Sequence, residues 1–346
     1  MTTAVKVVAV IATYRRELEL RRLLERLGEQ SVSLCGVVVV DNASEAGLQM
    51  QISHFPFPIS IGKVVYLAMA ENRGCGAGLK AGEEDALKKF PDLTHVWILD
   101  DDVVPSTDCL EKLLRGMELA KADLICPLLS DEQGSLWGFP EPRGTAVLGF
   151  KFKVLGWLLP SCGQPATSCP QPYPERLIRK CRTPQDVGKK LGPGPHPMWW
   201  CTGACVLVSR RALDEVGLHR DDYWMLGEDH EFSMRVGERF VSVFVTDAEV
   251  PHLPPPVTDL AVSEQAHYRK FLALLQNLTY NALRLPISSG PMWRYLPGNY
   301  KRFFKTFGLN RRTLGHAGLA FFYGAICGEA AGGRRAMKMR EGLFRK

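Results

Sequence analysis

The chain has 346 residues, 46% of them hydrophobic and 23% charged, with a formal net charge of +6. That length buries a substantial core, in two domains or one with elaborations, and no low-complexity tract interrupts it. Met1 to Lys6 lacks the features of a secretory signal, and the longest apolar candidate, Ala317 to Cys327, falls short of the ~20 residues that span a bilayer.

Val5 to Ile11 is nearly continuous in β-branched residues, the pattern of a strand buried on both faces, and it stops at Ala12-Thr13-Tyr14-Arg15. Leu18, Leu20, Leu23, Leu24 and Leu27 stand among charges and predict an amphipathic helix. A second buried strand, Val37 to Val40, ends in Asp41-Asn42-Ala43-Ser44. A third, Val64 to Leu67, leads into Glu71-Asn72-Arg73-Gly74 and a helix running to about Phe90. The fourth, Val96 to Leu99, ends in Asp100-Asp101-Asp102. This alternation predicts an α/β fold with an open, mostly parallel sheet flanked by helices. Ligands bind such sheets beyond the carboxyl ends of the strands, where four polar endings converge: Thr13/Arg15, Asp41/Asn42, Asn72/Gly74 and Asp100 to Asp102.

Between Pro160 and Pro197 fall nine prolines, so the stretch from Phe139 to Pro197 predicts long loops lining or covering a substrate groove. Ala204 to Val208 resumes as a strand, and Ser209 can cap the helix after it. Glu228-Asp229 precedes another helix, Val241 to Val245 is a strand leading to His252, and Gln265 to Leu285 predicts an amphipathic helix. The ten cysteines form no CxxC pair or His/Cys cluster, which suits free core thiols in a reducing compartment rather than zinc.

Three adjacent carboxylates repel one another and resist desolvation, so they need open water or a cation. Alternation puts Asp100 and Asp102 on one side of the chain and turns Asp101 to the other, toward a substrate or a structural partner. Oxygen ligands at a strand end suit Mg²⁺ or Mn²⁺ held together with substrate phosphates. The alternative is an acidic turn. The glycines at 74, 76 and 78 follow the third strand rather than the first, which argues against a dinucleotide fingerprint and for close approach to a nucleotide sugar. Glu228-Asp229 reads either as a pair favourable to a helix N-terminus or as a general base. His252 reads as a loop histidine or a third metal ligand.

In this combination the chain resembles the family 2 glycosyltransferases of GT-A fold, over most of Val5 to about Arg284. Its carriers are Ala12-Thr13-Tyr14-Arg15, Val40 to Ser44, Asn72 to Gly78, Leu99 to Asp102, Thr202-Gly203-Ala204 and Gly227-Glu228-Asp229. Tyr268, Gln276 to Tyr280 and the basic end resemble the rhamnosyltransferase and galactofuranosyltransferase branch. The resemblance implies a nucleotide-sugar-binding half over 1–110, an acceptor-binding half over 111–256 and a helical basic extension over 257–346. It implies that Thr13, Arg15, Asp41 and Asn42 hold the nucleoside of a UDP- or dTDP-sugar, with Asn72 and Gly74 lining the donor site. Asp100, Asp102 and His252 would hold Mn²⁺ or Mg²⁺. Asp229 would be the base of an inverting transfer, with Glu228 binding a glycan or lipid-linked acceptor. Trp199 and Trp200 would form a platform for an acceptor sugar or belong to the core.

Arg294 to Lys346 carries twelve Lys/Arg against two Glu, a net of +10 that leaves the rest of the chain at −4. Trp293, Tyr295, Phe303, Phe304 and Phe307 lie among these cations, a pattern that suits an anionic membrane surface or single-stranded nucleic acid. The resemblance favours a cytoplasmic enzyme in peripheral contact with the inner membrane face, and no nucleic-acid partner. Oligomeric state leaves no signal in the sequence. A nucleotidyltransferase would need a cation for the triphosphate near the first loop, where Arg15 stands. A non-catalytic sugar- or nucleotide-binding module would not require both Asp100/Asp102 and Asp229.

Overall fold

The structure, a computed structural model, describes residues 4–43, 61–138, 141–142, 181–254, 260–284 and 295–327. The β-branched runs form β1 (Val7–Thr13), β2 (Leu34–Asp41), β3 (Ile61–Ala68) and β4 (His95–Asp100), which lie parallel in the order β3-β2-β1-β4. Val7, Ala9 and Ile11 of β1 enter one apolar layer, Val8 and Val10 the other, as the period of two requires. Helices α1 (Glu17–Gly28) and α3 (Cys109–Ala120) cover the first layer, and α2 (Cys75–Lys89) the second. Leu20, Leu23, Leu24 and Leu27 bury the inner face of α1, each stabilising the fold by roughly 1.5–3 kcal/mol. Leu18, expected with them, instead faces outward at 79% exposure.

The far half of the sheet mixes directions. β9 (Cys205–Ser209) runs antiparallel between β4 and β5 (Leu124–Ser130), and β10 (Ser242–Pro251) runs parallel to β5. Beyond β10 come β8 (Pro195–Trp200) and β7 (Glu141–Pro142), while β6 (Leu136–Trp137) pairs with β5. Antiparallel β9 begins opposite Leu99, which brings Thr202-Gly203-Ala204 to the rim where β4 ends. Helices α5 (Arg210–Val216) and α6 (Glu228–Gly237) join α2 on the second layer, and Ser209 caps α5 by accepting from the Ala212 amide at 3.1 Å.

The proline-dense stretch is not all loop. Residues 139–140 and 143–180 lie outside the described residues, but Pro184–Leu191 is a helix, α4. Thr183 and Asp186 form a reciprocal capping box around Pro184, whose fixed φ and missing amide suit a first helical turn. Pro195 and Pro197 stand in β8, which pairs antiparallel with β10.

Helices α7 (Leu260–Arg284), α8 (Tyr295–Phe307) and α9 (Arg311–Phe321) pack around Phe271, Leu272, Leu275, Phe303, Ala317 and Ala320. The aromatics expected at a membrane surface therefore behave differently: Phe303 is buried, Phe304 and Phe307 pack against it, and Trp293 lies outside the described residues. Exposed apolar side chains on this unit are Leu309, Leu314, Phe321 and Phe322. Among the described residues no helix is long and apolar enough to cross a membrane. Cys109, Cys126, Cys201 and Cys205 are buried free thiols.

Candidate active site

Strand register assembles the rim. Thr13 pairs opposite Asp41, Asp41 opposite Ala68, and Ala12 opposite Asp100, so the strand ends lie level. Asp101 turns away from the groove: its Oδ2 accepts from the Thr13 hydroxyl at 2.6 Å and its Oδ1 from Arg16 Nη1 at 2.8 Å. The same Arg16 nitrogen donates to Asp102 Oδ2 at 2.6 Å. Arg16 is thus a cation of this cluster. Arg15 occupies the left-handed region at φ 55 and lies over the exposed Tyr14 ring, and that twist delivers the next side chain to the aspartates.

Asp100, Asp102 and His252 bring three ligand atoms within 4.8 Å of one another. His252 Nε2 stands 3.2 Å from Asp102 Oδ1 and 4.0 Å from Asp100 Oδ2. The histidine is fixed from both sides of the chain. Its amide donates to the Ser130 carbonyl, Leu253 donates to the Asp102 carbonyl, and Trp137 stacks on the imidazole at 3.9 Å. Among the described residues buried His252 Nδ1 has no hydrogen-bond partner, while Asp102 Oδ1 has His252 Nε2 at 3.2 Å. A divalent cation fits this donor set: Arg16 neutralises one oxygen of Asp102 and leaves the other, beside His252 Nε2, to a ligand.

Burial and the neighbouring Asp102 charge push the Asp100 carboxyl up to about 7. Because 39% of that side chain still meets solvent, like-charge repulsion explains the rise better than lost hydration. Burial also pushes Asp101 up to about 6, against the pull of Arg16 and Thr13. For Asp102 burial works in the same direction, but His252 and Arg16 outweigh it and hold the carboxylate below its ordinary range.

The Asp41 and Asn42 end of β2 is equally engaged. Tyr66 donates its hydroxyl to Asp41 Oδ2 at 2.5 Å, and burial together with that bond raises the phenol's pKa. Asn42 donates to the Gly74 carbonyl at 2.8 Å and accepts from the Arg73 amide, while Asn72 accepts from the Gly74 amide at 3.0 Å. Gly74 has φ 89, and a Cβ there would meet the Trp224 carbonyl at 1.9 Å. Contact inside the protein by itself requires a glycine here, whatever approaches it from the groove.

The second pair of carboxylates opens α6. Gly227, at φ 101, turns the chain into the helix. Asp229 Oδ2 accepts from the Gly203 amide at 3.1 Å and Oδ1 from the His230 amide at 2.8 Å. The Asp100 amide donates to the carbonyl of the adjacent Ala204 at 2.9 Å, so Thr202-Gly203-Ala204 lies between the two acidic groups. Glu228 is buried with Oε2 unpartnered, and burial, then the Asp229 charge, pushes its carboxyl up to about 8. That burial is at odds with direct contact between Glu228 and an acceptor. Trp200 lies 4.0 Å from the His230 ring and packs on Met234 and Leu278, which is the core alternative for this residue. Trp199 belongs to β8, and its side chain lies outside the described ones.

A sheet whose parallel half gathers at one strand end a triad that could hold a cation, with a carboxylate across a glycine turn, has the GT-A fold. Residues 8–167 match the model of glycosyl transferase family 2. A curated relative from Mycobacterium tuberculosis, N-acetylglucosaminyl-diphospho-decaprenol L-rhamnosyltransferase, is 26% identical over 298 residues, 83% of this chain and 89% of the relative. The structure of S. aureus TarS 1-349 in complex with UDP superposes at TM-score 0.52 and 14% identity, covering 99% of this chain and 93% of that one, a likeness of fold. Residues 8–167 thus match a family 2 glycosyltransferase domain, and the protein is a glycosyltransferase.

Proposed function

We propose that the enzyme transfers a sugar from a UDP- or dTDP-linked donor to a hydroxyl of a lipid-linked glycan, by single displacement with inversion. The observation that carries this reading is the pairing of two unlike acidic sites across Thr202-Gly203-Ala204. Asp100, Asp102 and His252 would hold Mn²⁺ or Mg²⁺, which when bound neutralises charge on a diphosphate leaving group. Thr13, Asp41, Asn42, Asn72 and Gly74 form the donor wall within residues 1–110, and Arg16 holds Asp101 and Asp102 in place. Asp229, its carboxylate fixed by two amides, takes the proton of the attacking hydroxyl. Glu228 stays neutral beside it and spares Asp229 a second negative charge. The relative's name supports a lipid diphosphate carrier bearing N-acetylglucosamine as acceptor and rhamnose as the sugar transferred.

Peripheral contact with an anionic membrane fits this acceptor. The surface we assign to it is α9 and its two ends, where exposed Leu309, Leu314, Phe321 and Phe322 occur with Arg311 and Arg312. Buried free thiols suit the reducing, cytoplasmic side. The direct test supplies UDP- and dTDP-sugars with the decaprenyl acceptor and follows the product. Free UDP or dTDP with a glycosylated lipid is expected. Donor consumption that depends on neither acceptor nor Mn²⁺ would overturn the reading. Binding to phosphatidylglycerol vesicles equal to that on phosphatidylcholine would remove the membrane surface.

A further inference from the structure

The turn that delivers the acidic pair of α6 is completed by side chains from a distant helix. Leu226 has φ 64 and Gly227 φ 101, two consecutive residues in the left-handed region, the first of them a branched side chain that region disfavours. A main chain bent this way leaves carbonyls that helix hydrogen bonding does not fully use, and buried carbonyls need donors. Asn277 of α7 supplies two of them, donating from Nδ2 to the Met225 carbonyl at 3.0 Å and the Leu226 carbonyl at 2.6 Å. One helical turn on, Asn281 donates to the Gly227 carbonyl at 3.1 Å while accepting from the Tyr223 hydroxyl at 2.5 Å. Both asparagines are buried, at 0% and 2% exposure. A Cβ on Gly227 would approach Asn277 Cβ to 3.1 Å, so turn and helix touch closely.

We propose that Asn277 and Asn281 are positioning residues for transfer: they hold 225–227 so that Asp229 meets the Gly203 amide beside Asp100. The inference rests on Asp229 being the base. Two uncharged amides suit the task, because they fix three carbonyls without adding charge near Glu228 and Asp229. The helix that carries them is anchored through Phe271, Leu272 and Leu275 in the core shared with α8 and α9. The helical extension is therefore part of the catalytic frame.

The test compares Asn277→Asp, which keeps the volume but loses the donor, with Asn281→Ala, in the full-length protein. Misplacement by about 1 Å can cost on the order of 100-fold in rate. We expect kcat to fall roughly 10–100-fold with the decaprenyl acceptor, while the affinity for UDP with Mn²⁺ stays within about twofold. Hydrogen exchange should quicken in 225–231 and stay unchanged in 95–103. In an Asp229→Asn background the same change should cost nothing further, since it acts through that residue. Unchanged kcat, equal losses of kcat and UDP affinity, or an additional loss in the Asp229→Asn background would each overturn the proposal. If Asn277→Asp does not fold, Asn281→Ala decides on the same readouts. Wild-type turnover by Asp229→Asn alone would sink the base assignment, whereas unaltered exchange in 225–231 would sink the clamp.

Discussion

The two acidic sites are built from opposite materials. Around Asp100, Asp101 and Asp102 the protein uses a cation, Arg16, and a stacked histidine, whose Nε2 lies 3.2 Å from Asp102 Oδ1. Around Glu228 and Asp229 it uses main-chain amides and neutral asparagines, and burial pushes the Glu228 carboxyl well above its ordinary range. Carboxylates with a nitrogen beside them suit a metal ion. A carboxylate oriented by main-chain amides beside a buried acid suits proton transfer. The difference teaches that charge alone does not define a role here; the partners do.

The sharpest way to separate the sites is Asp229→Asn. We expect transfer to fall about 10²–10⁴-fold, with UDP affinity in Mn²⁺ unchanged by calorimetry. His252→Ala or Asp102→Asn should do the reverse. Mn²⁺-dependent UDP affinity is expected to drop on the order of 10–100-fold, and equal affinity with and without Mn²⁺ in the parent enzyme would dissolve the metal site.

Arg16→Met tests the cation side more gently. Two buried carboxylates lose their shared donor, which should cost about 1–3 kcal/mol in denaturant unfolding, and added Mn²⁺ should recover part of it. No loss would mean that Asp101 and Asp102 are held by Thr13 and the backbone alone.

The smallest effect is a pH dependence. Glu228 sits at about 8 in the fold against an ordinary 4.5, so the folded protein keeps a proton that the unfolded chain releases. Its contribution is full below pH 4.5 and is lost as pH climbs through about 8. Glu228→Gln cannot ionise. Its melting temperature should exceed the parent's at pH 9 and approach it at pH 5, and parallel pH profiles would assign the slope to other groups.

Much of the strand-end rim is legible in the sequence because its signals are local. Buried β-branched runs fix the strands, and parallel pairing brings their polar ends level, so Asp100, Asp102 and the rim of Thr13 and Asp41 follow from pattern alone. His252 needs the additional fact that β10 lies parallel to β5 and ends opposite Ser130. Arg16 is hidden because strand alternation breaks at Arg15, whose positive φ no propensity announces. Trp137 and Tyr66 act across strands, through contacts that one-dimensional spacing does not encode. The aromatic and basic tail misleads for a related reason: amphipathic helices bury aromatics against each other as readily as against lipid, and Phe303 and Phe307 do the former. Asn277 and Asn281 look like surface polar residues of a helix until the turn at 225–227 is laid against them.

Single displacement from a metal-held diphosphate, with Asp229 as base, requires inversion at the anomeric carbon. The most direct measurement is the anomeric configuration of the sugar in the glycosylated lipid, read by NMR against that of the nucleotide-sugar donor. Opposite configurations are predicted. Retained configuration would mean a covalent or front-side path, and would contradict the division of labour between the two acidic sites.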